Sequence, residues 1–195
     1  MAKLPDSPPD EATVLPIVEA GHPVLRQVAR SLTRAEILAP ATVRLIEAMH
    51  ATMRAAPGVG LAAPQIGEGL AIAVIEDRPE YQERLTKEEL RARARRPVPF
   101  HVIINPQLTI TDPGPAEFGE GCLSVPGYSA VTPRARAVRV QALDHRGEAI
   151  VIEADGWYAR ILQHEIDHLN GTLYVDRMAS RTFTSLRESL AAPRR

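Results

Sequence analysis

Apolar positions along the chain follow two periods. From Pro40 to Ala56, Val43, Ile46, Met49 and Met53 keep to one face at helical spacing, and Pro40 suits a first helical turn. Gly58-Val59-Gly60 ends that pattern and opens a loop. Leu70 to Ile75 is a short apolar run expected of a buried strand, and Val102 to Asn105 is another. Between Arg136 and Leu143 the positions Val138, Val140 and Ala142 alternate, and β-branched residues dominate Ala149 to Ile152. Asp144-His145-Arg146-Gly147 supplies turn chemistry between them, so the two runs predict a hairpin.

The last strong pattern is helical. Asp155 can cap a helix from about Gly156 to Leu169, and Asn170-Gly171 can end it in the left-handed conformation. Trp157, Tyr158, Ala159, Ile161, Leu162, Ile166 and Leu169 spread apolar groups around most of its circumference, as in an interior helix. Yet it also carries His164, Glu165, Asp167 and His168. Burying four such groups is costly unless something binds them. That conflict makes the helix the place to look for chemistry.

Composition narrows the picture without changing it. The 195 residues suit one domain, read as 15–183, with a flexible N-terminal tail over 1–14 and a C-terminal tail over 184–195. A formal net charge of -1 gives no global field for DNA or an anionic membrane, and neither is expected as a partner. No apolar run approaches the roughly 20 residues of a membrane helix. The first residues, acidic and proline-containing, resemble neither a secretory signal nor a transit peptide, so a cytoplasmic location is expected. Residues 77–99 carry 12 charged side chains among 23, and Thr86 and Glu89 have capping-box spacing for a short helix. This stretch reads as a solvated excursion, with a partner contact or a part in substrate access as the alternative.

His164-Glu165-Ile166-Asp167-His168 has the H-E-x-x-H form. Residues four apart share a helix face, so both imidazoles can reach one ion while Glu165 faces a water on it. A catalytic site normally needs a third protein ligand and an open position. Tyr174 stands where one peptidase class has a third histidine, and Glu188 falls near where another has a glutamate, but neither signature is complete. Cys122 is the single cysteine, which excludes an internal disulfide and fits a reducing compartment. It is either a small buried hydrophobe or the missing ligand, with Gly119 and Gly121 freeing the backbone to approach an ion.

Three segments decide between those readings. Gly58-Val59-Gly60-Leu61-Ala62-Ala63-Pro64-Gln65, Glu120-Gly121-Cys122-Leu123-Ser124 and the His164–His168 pentapeptide together resemble the peptide deformylase signature, in order and at compatible separations. The segment from Gly156 to Gln163 and Ser180-Arg181-Thr182-Phe183 are similar to the branch containing organelle-type members. The resemblance implies an α+β fold in which a central metal-binding helix is surrounded by mostly antiparallel β-sheets. It implies one divalent ion, usually Fe2+ with Zn2+, Ni2+ or Co2+ able to substitute, held by Cys122, His164 and His168. Glu165 would act as general base and acid, with Gln65 and the N–H of Leu123 binding the oxyanion. Val59, Gly60, Gly121 and Ile161 would contact N-formylmethionyl nascent peptides, met near the ribosomal exit tunnel. Arg134 is the expected partner of Asp167, and Ser129 replaces a basic residue found seven positions after the cysteine in many bacterial members. A generic zinc peptidase or amidase built on the same helix is the alternative activity.

Overall fold

The computed structural model describes residues 13–191, so most of the expected N-terminal tail lies outside the described residues. In chain order the elements are α1 (Arg34–Leu38), α2 (Pro40–Ala55), β1 (Gly60–Ala62), β2 (Ile72–Asp77), α3 (Lys87–Ala92) and β3 (Val98–Cys122). They continue with β4 (Val125–Leu143), β5 (Ala149–Asp155), α4 (Gly156–Leu169), β6 (Thr184–Ser185) and α5 (Leu186–Ala191). The α+β expectation holds. The strands form a single sheet in the order β1-β2-β3-β4-β5, with β6 added beside β4, and every pairing is antiparallel.

All six residues of β2 are buried, because the sheet has a helix on each side there. Ala73 and Ile75 pack in the core that contains Leu162 and Ile166 of α4. Ile72 and Val74 pack instead with Ile46, Met49 and Met53 of α2. A strand covered on both faces reads as a continuous apolar run, which is why 70–75 shows no alternation. Helix α4 touches all of β1 to β5, placing its polar residues at the centre of the molecule.

Some expectations need correction. Val43 is 44% exposed, and the buried stripe of α2 is made by Thr42, Ile46, Met49, Thr52 and Met53. Asp155 makes no side-chain cap on α4; it pairs with Arg96, and Gly156 starts the helix at φ +57°. Asn170 has φ -99°, so only Gly171, at +69°, is left-handed. Residues 184–191 are not a tail, since Thr184 and Ser185 pair with Ser129 and Tyr128 and helix α5 follows. From Leu15 onward the chain is already tied down, its N–H donating to Thr52 Oγ1 at 2.8 Å.

The largest difference lies in β3 and β4, which run far beyond the runs expected at 102–105 and 136–143. Register shifts between Ile104 and Gln107, Ile110 and Asp112, and Asp112 and Pro115 carry β3 past its prolines. Such bulges tolerate residues that cannot join the ladder. Asn105 takes φ +52° at the first bend, and its side chain bonds the N–H and the carbonyl of Leu32 at 2.9 and 2.8 Å.

Candidate metal centre

Two long elements deliver the donors. His164 and His168, one turn apart on α4, present rings whose centroids are 4.9 Å apart. Cys122 closes β3 opposite them, with Sγ 3.3 Å from His168 Nε2. One ligand atom from each of the three residues lies within 4.8 Å of the others. Ser124 N–H and Gln65 Nε2 also point at Sγ, at 3.4 and 3.6 Å, hydrogen bonds that an anionic sulfur can accept. One sulfur and two imidazoles, with room for a fourth ligand, suit a divalent transition ion. Glu188 lies exposed on α5, and Tyr174, though its ring stacks 6.4 Å from His164, is not part of the donor group.

Behind the donors lies a buried ionic network that sequence reasoning caught only in part. Glu120 accepts from His164 Nδ1 at 3.1 Å, which fixes the ring and leaves Nε2 to face the cysteine. The same carboxylate receives two bonds from Arg134 at 2.9 Å and a further one from Arg160. Arg134 reaches on to Asp167, as expected, and Asp167 also takes a two-point pair from Arg177 at 2.6 and 2.8 Å. Glu120 had a legible signal. It precedes Cys122 by two positions in a strand, so both side chains leave the same face. Arg160 and Arg177 carried no comparable sign.

The charges explain the titration behaviour. Burial would raise the Glu120 carboxyl, but His164 and Arg134 hold it far below the usual range. Burial would likewise depress His164, yet hydrogen bonds to Cys122 and Glu120 lift it well above 6.5. His168 is pushed well below 6.5, first by burial and then by the charge on His164. Cys122 and Glu120 thus favour positive charge on the His164 ring.

Glu165 is 3% exposed, and burial raises its carboxyl to about 7. Its Oε2 is buried without a hydrogen-bond partner. An ideal Cβ on Gly60 would stand 2.2 Å from the other oxygen, so the bare backbone of β1 is what makes room for this side chain. Gln65 accepts from Ala62 N–H at 2.9 Å through Oε1, which orients Nε2 towards Cys122 and Ser124. Leu123 begins the two-residue turn between β3 and β4. Gly119 and Gly121 lie in ordinary extended backbone; their contribution is the absence of side chains in the cavity.

Val59, Gly60, Gln65, Gly121, Cys122 and Leu123 line one cavity of about 510 Å³ together with Ile161, His164 and Glu165. His168 sits behind that wall, 1% exposed. None of His22, His50, His101 or His145 belongs to the donor group: His50 stacks on Phe100 at 3.7 Å and His101 bonds the Tyr158 hydroxyl at 2.9 Å.

Known proteins resemble this chain in sequence and in fold. The family model described as polypeptide deformylase matches residues 14–184. The chain is 51% identical over 177 residues to peptide deformylase 1A, chloroplastic, of Solanum lycopersicum, covering 91% of this chain and 64% of that one. It is also 51% identical over 173 residues to peptide deformylase 1 of Streptomyces coelicolor, covering 88% and 76%. This chain therefore spans just under two thirds of the tomato protein. A crystal structure of the class I type b peptide deformylase of Acinetobacter baumannii with Met-Ala-Ser bound superposes with a TM-score of 0.77 at 33% identity, covering 86% of this chain and 100% of that one. With the three signature segments drawn around one cavity and a match over nearly the whole described chain, this protein belongs to the polypeptide deformylase family.

Proposed function

We propose that the protein hydrolyses the N-formyl group from the N-terminal methionine of newly made polypeptides, releasing formate. The observation that carries this reading is the Cys122, His164 and His168 donor group set beside the unpartnered, buried oxygen of Glu165. A divalent ion at this position supplies Lewis acidity, enough to bring a water's pKa from about 16 to about 7. Fe2+ is the ion we assign, because the family usually carries it; Zn2+, Ni2+ or Co2+ fit the same one-thiolate, two-imidazole donors.

The chain's own groups then divide the work. Glu165 Oε2 takes the proton of the attacking water and afterwards gives it to the departing amine nitrogen. Gln65 Nε2, its orientation fixed by Ala62 N–H, and the N–H of Leu123 donate to the oxygen that gains negative charge. Each such donor is worth about 3–4 kcal/mol. Glu120 holds the His164 ring, and Arg134 and Arg160 hold Glu120. The open edge of β1 at Val59 and Gly60, with Gly121 opposite, accepts an extended peptide by strand addition, and Ile161 meets its first side chain.

The test is formate release from a formyl-Met peptide by anaerobically purified protein of measured metal content. A generic zinc peptidase would instead cleave unformylated peptides and tolerate loss of Cys122. Two further parts of the proposal are a cytoplasmic location, supported by the single unpaired cysteine, and encounter with nascent chains at the ribosome. Cell fractionation and co-sedimentation with ribosomes test these. Among the described residues no helix is long and apolar enough to cross a membrane.

A further inference from the structure

The charged excursion over residues 77–99 returns to the cavity. Arg95 has a side chain only 9% exposed, and it donates two hydrogen bonds of 2.8 Å to Asp77, which is fully buried. Its guanidinium lies 5.1 Å from the centre of the Trp157 ring, and both residues line the cavity. Arg93 covers the same indole at 5.2 Å and Arg160 at 5.7 Å. The backbone is pressed equally close. A Cβ on Gly156 would stand 2.5 Å from Ala94 Cβ and 2.7 Å from the Arg93 carbonyl, and Ala94 itself takes φ +43°.

A solvated loop does none of this. It keeps its arginines in water and has no need of a left-handed alanine. Residues held in sparsely populated conformations persist where the surroundings over-determine them, and they gather at functional sites. Here the surroundings are Asp77, which anchors Arg95, and the start of α4, against which 93–95 is seated. The outcome is a stiff wall: an indole flanked by three guanidiniums, two of them tied to buried carboxylates, Arg95 to Asp77 and Arg160 to Glu120.

We propose that Arg95, fixed by Asp77, forms with Trp157 the end wall of the pocket for the first side chain of the substrate, and so determines which N-terminal residues are accepted. The proposal rests on the deformylase reading above and adds the selectivity of that site. An unbranched thioether packs well against an aromatic ring and fills a narrow pocket. A bulky aromatic side chain must displace a buried, paired guanidinium. A cationic side chain meets like charge at close range, an exclusion of the kind that specificity uses.

The experiment compares wild type, Arg95→Ala, Arg95→Lys and the double variant Asp77→Asn/Arg95→Met, which leaves no lone buried carboxylate. Each is loaded with nickel, assayed for metal content, and given formyl peptides differing only in a first residue of Met, Phe or Lys. In Arg95→Ala the kcat/KM preference for Met over Phe should fall on the order of tenfold, the scale on which apolar pockets discriminate, mainly through KM. Arg95→Lys should recover part of it. The double variant should accept the Lys peptide on the order of tenfold better than wild type while still discriminating against Phe. If Arg95→Ala does not fold, the double variant decides. Unchanged preferences in variants with full metal content overturn this proposal alone. No turnover of any formyl peptide by metal-loaded wild type overturns the deformylase reading, and this proposal with it.

Discussion

Gly60 and Glu165 occupy what would otherwise be the same space: a Cβ on residue 60 would fall 2.2 Å from Oε1, 2.5 Å from Cδ and 2.8 Å from Cγ of the glutamate. A bare residue 60 leaves the backbone of β1 open to an extended peptide. The tighter constraint comes from the opposite side, where the carboxylate of α4 presses on β1. Gly60→Ala should therefore displace Glu165, which is nearly without exposure and has little room to yield. A misplacement of about 1 Å at a reacting group can cost on the order of a hundredfold in rate, while overpacking costs about 1–3 kcal/mol in stability. Turnover measured beside thermal unfolding checks this: a variant that loses stability but keeps its rate would refute the coupling.

Glu165→Ala separates proton transfer from metal holding. The carboxylate is not in the donor group, so metal content should stay near stoichiometric. Formyl-Met turnover should drop by at least about a hundredfold, the scale of general acid–base catalysis. Robust activity in that variant would remove Glu165 from the mechanism.

Glu120→Gln tests the network behind the ligands. The substitution leaves Arg134 and Arg160, each with a side chain 3% exposed, without their shared anion. Breaking one partner out of a buried pair costs about 3–5 kcal/mol. The loosened His164 ring should also weaken metal affinity by about 10–100-fold. Denaturant unfolding and a chelator competition read the two effects separately, and a normal affinity would show that His164 needs no anchor.

Cys122→Ser asks whether the thiol is a ligand. A neutral hydroxyl replaces an anionic donor, so the ion should bind more weakly and activity should fall steeply. In the parent protein the iron form should lose activity in air within minutes to hours, since iron next to a thiolate opens the oxidation ladder. Nickel- or zinc-loaded protein should last much longer. Wild-type affinity and turnover in the serine variant would return the zinc-peptidase reading.

The sequence by itself determined the parts whose signal is local. Helix α4 was legible because its apolar spread and its four polar groups contradict each other unless something binds there. Cys122, His164 and His168 were legible because residues four apart share a helix face and because the three signature segments occur in order. The capping box of α3 was legible for the same reason, and Thr86 and Glu89 exchange its two bonds at 2.7 and 3.1 Å.

What only the tertiary structure decided depends on residues far apart in the chain. β3 and β4 hid their length because bulges at 104–115 break period two and admit prolines, and no local pattern announces which register will be kept. Asp155 looked like a cap, but Arg96, 59 positions earlier, claims its carboxylate. The glutamate anchoring His164 is itself held by arginines from β4 and α4, and Arg177 joins through Asp167. Residues 77–99 looked solvated because charge density is read along the chain. Whether a guanidinium ends in water or across an indole is settled by the surface that folding brings to it.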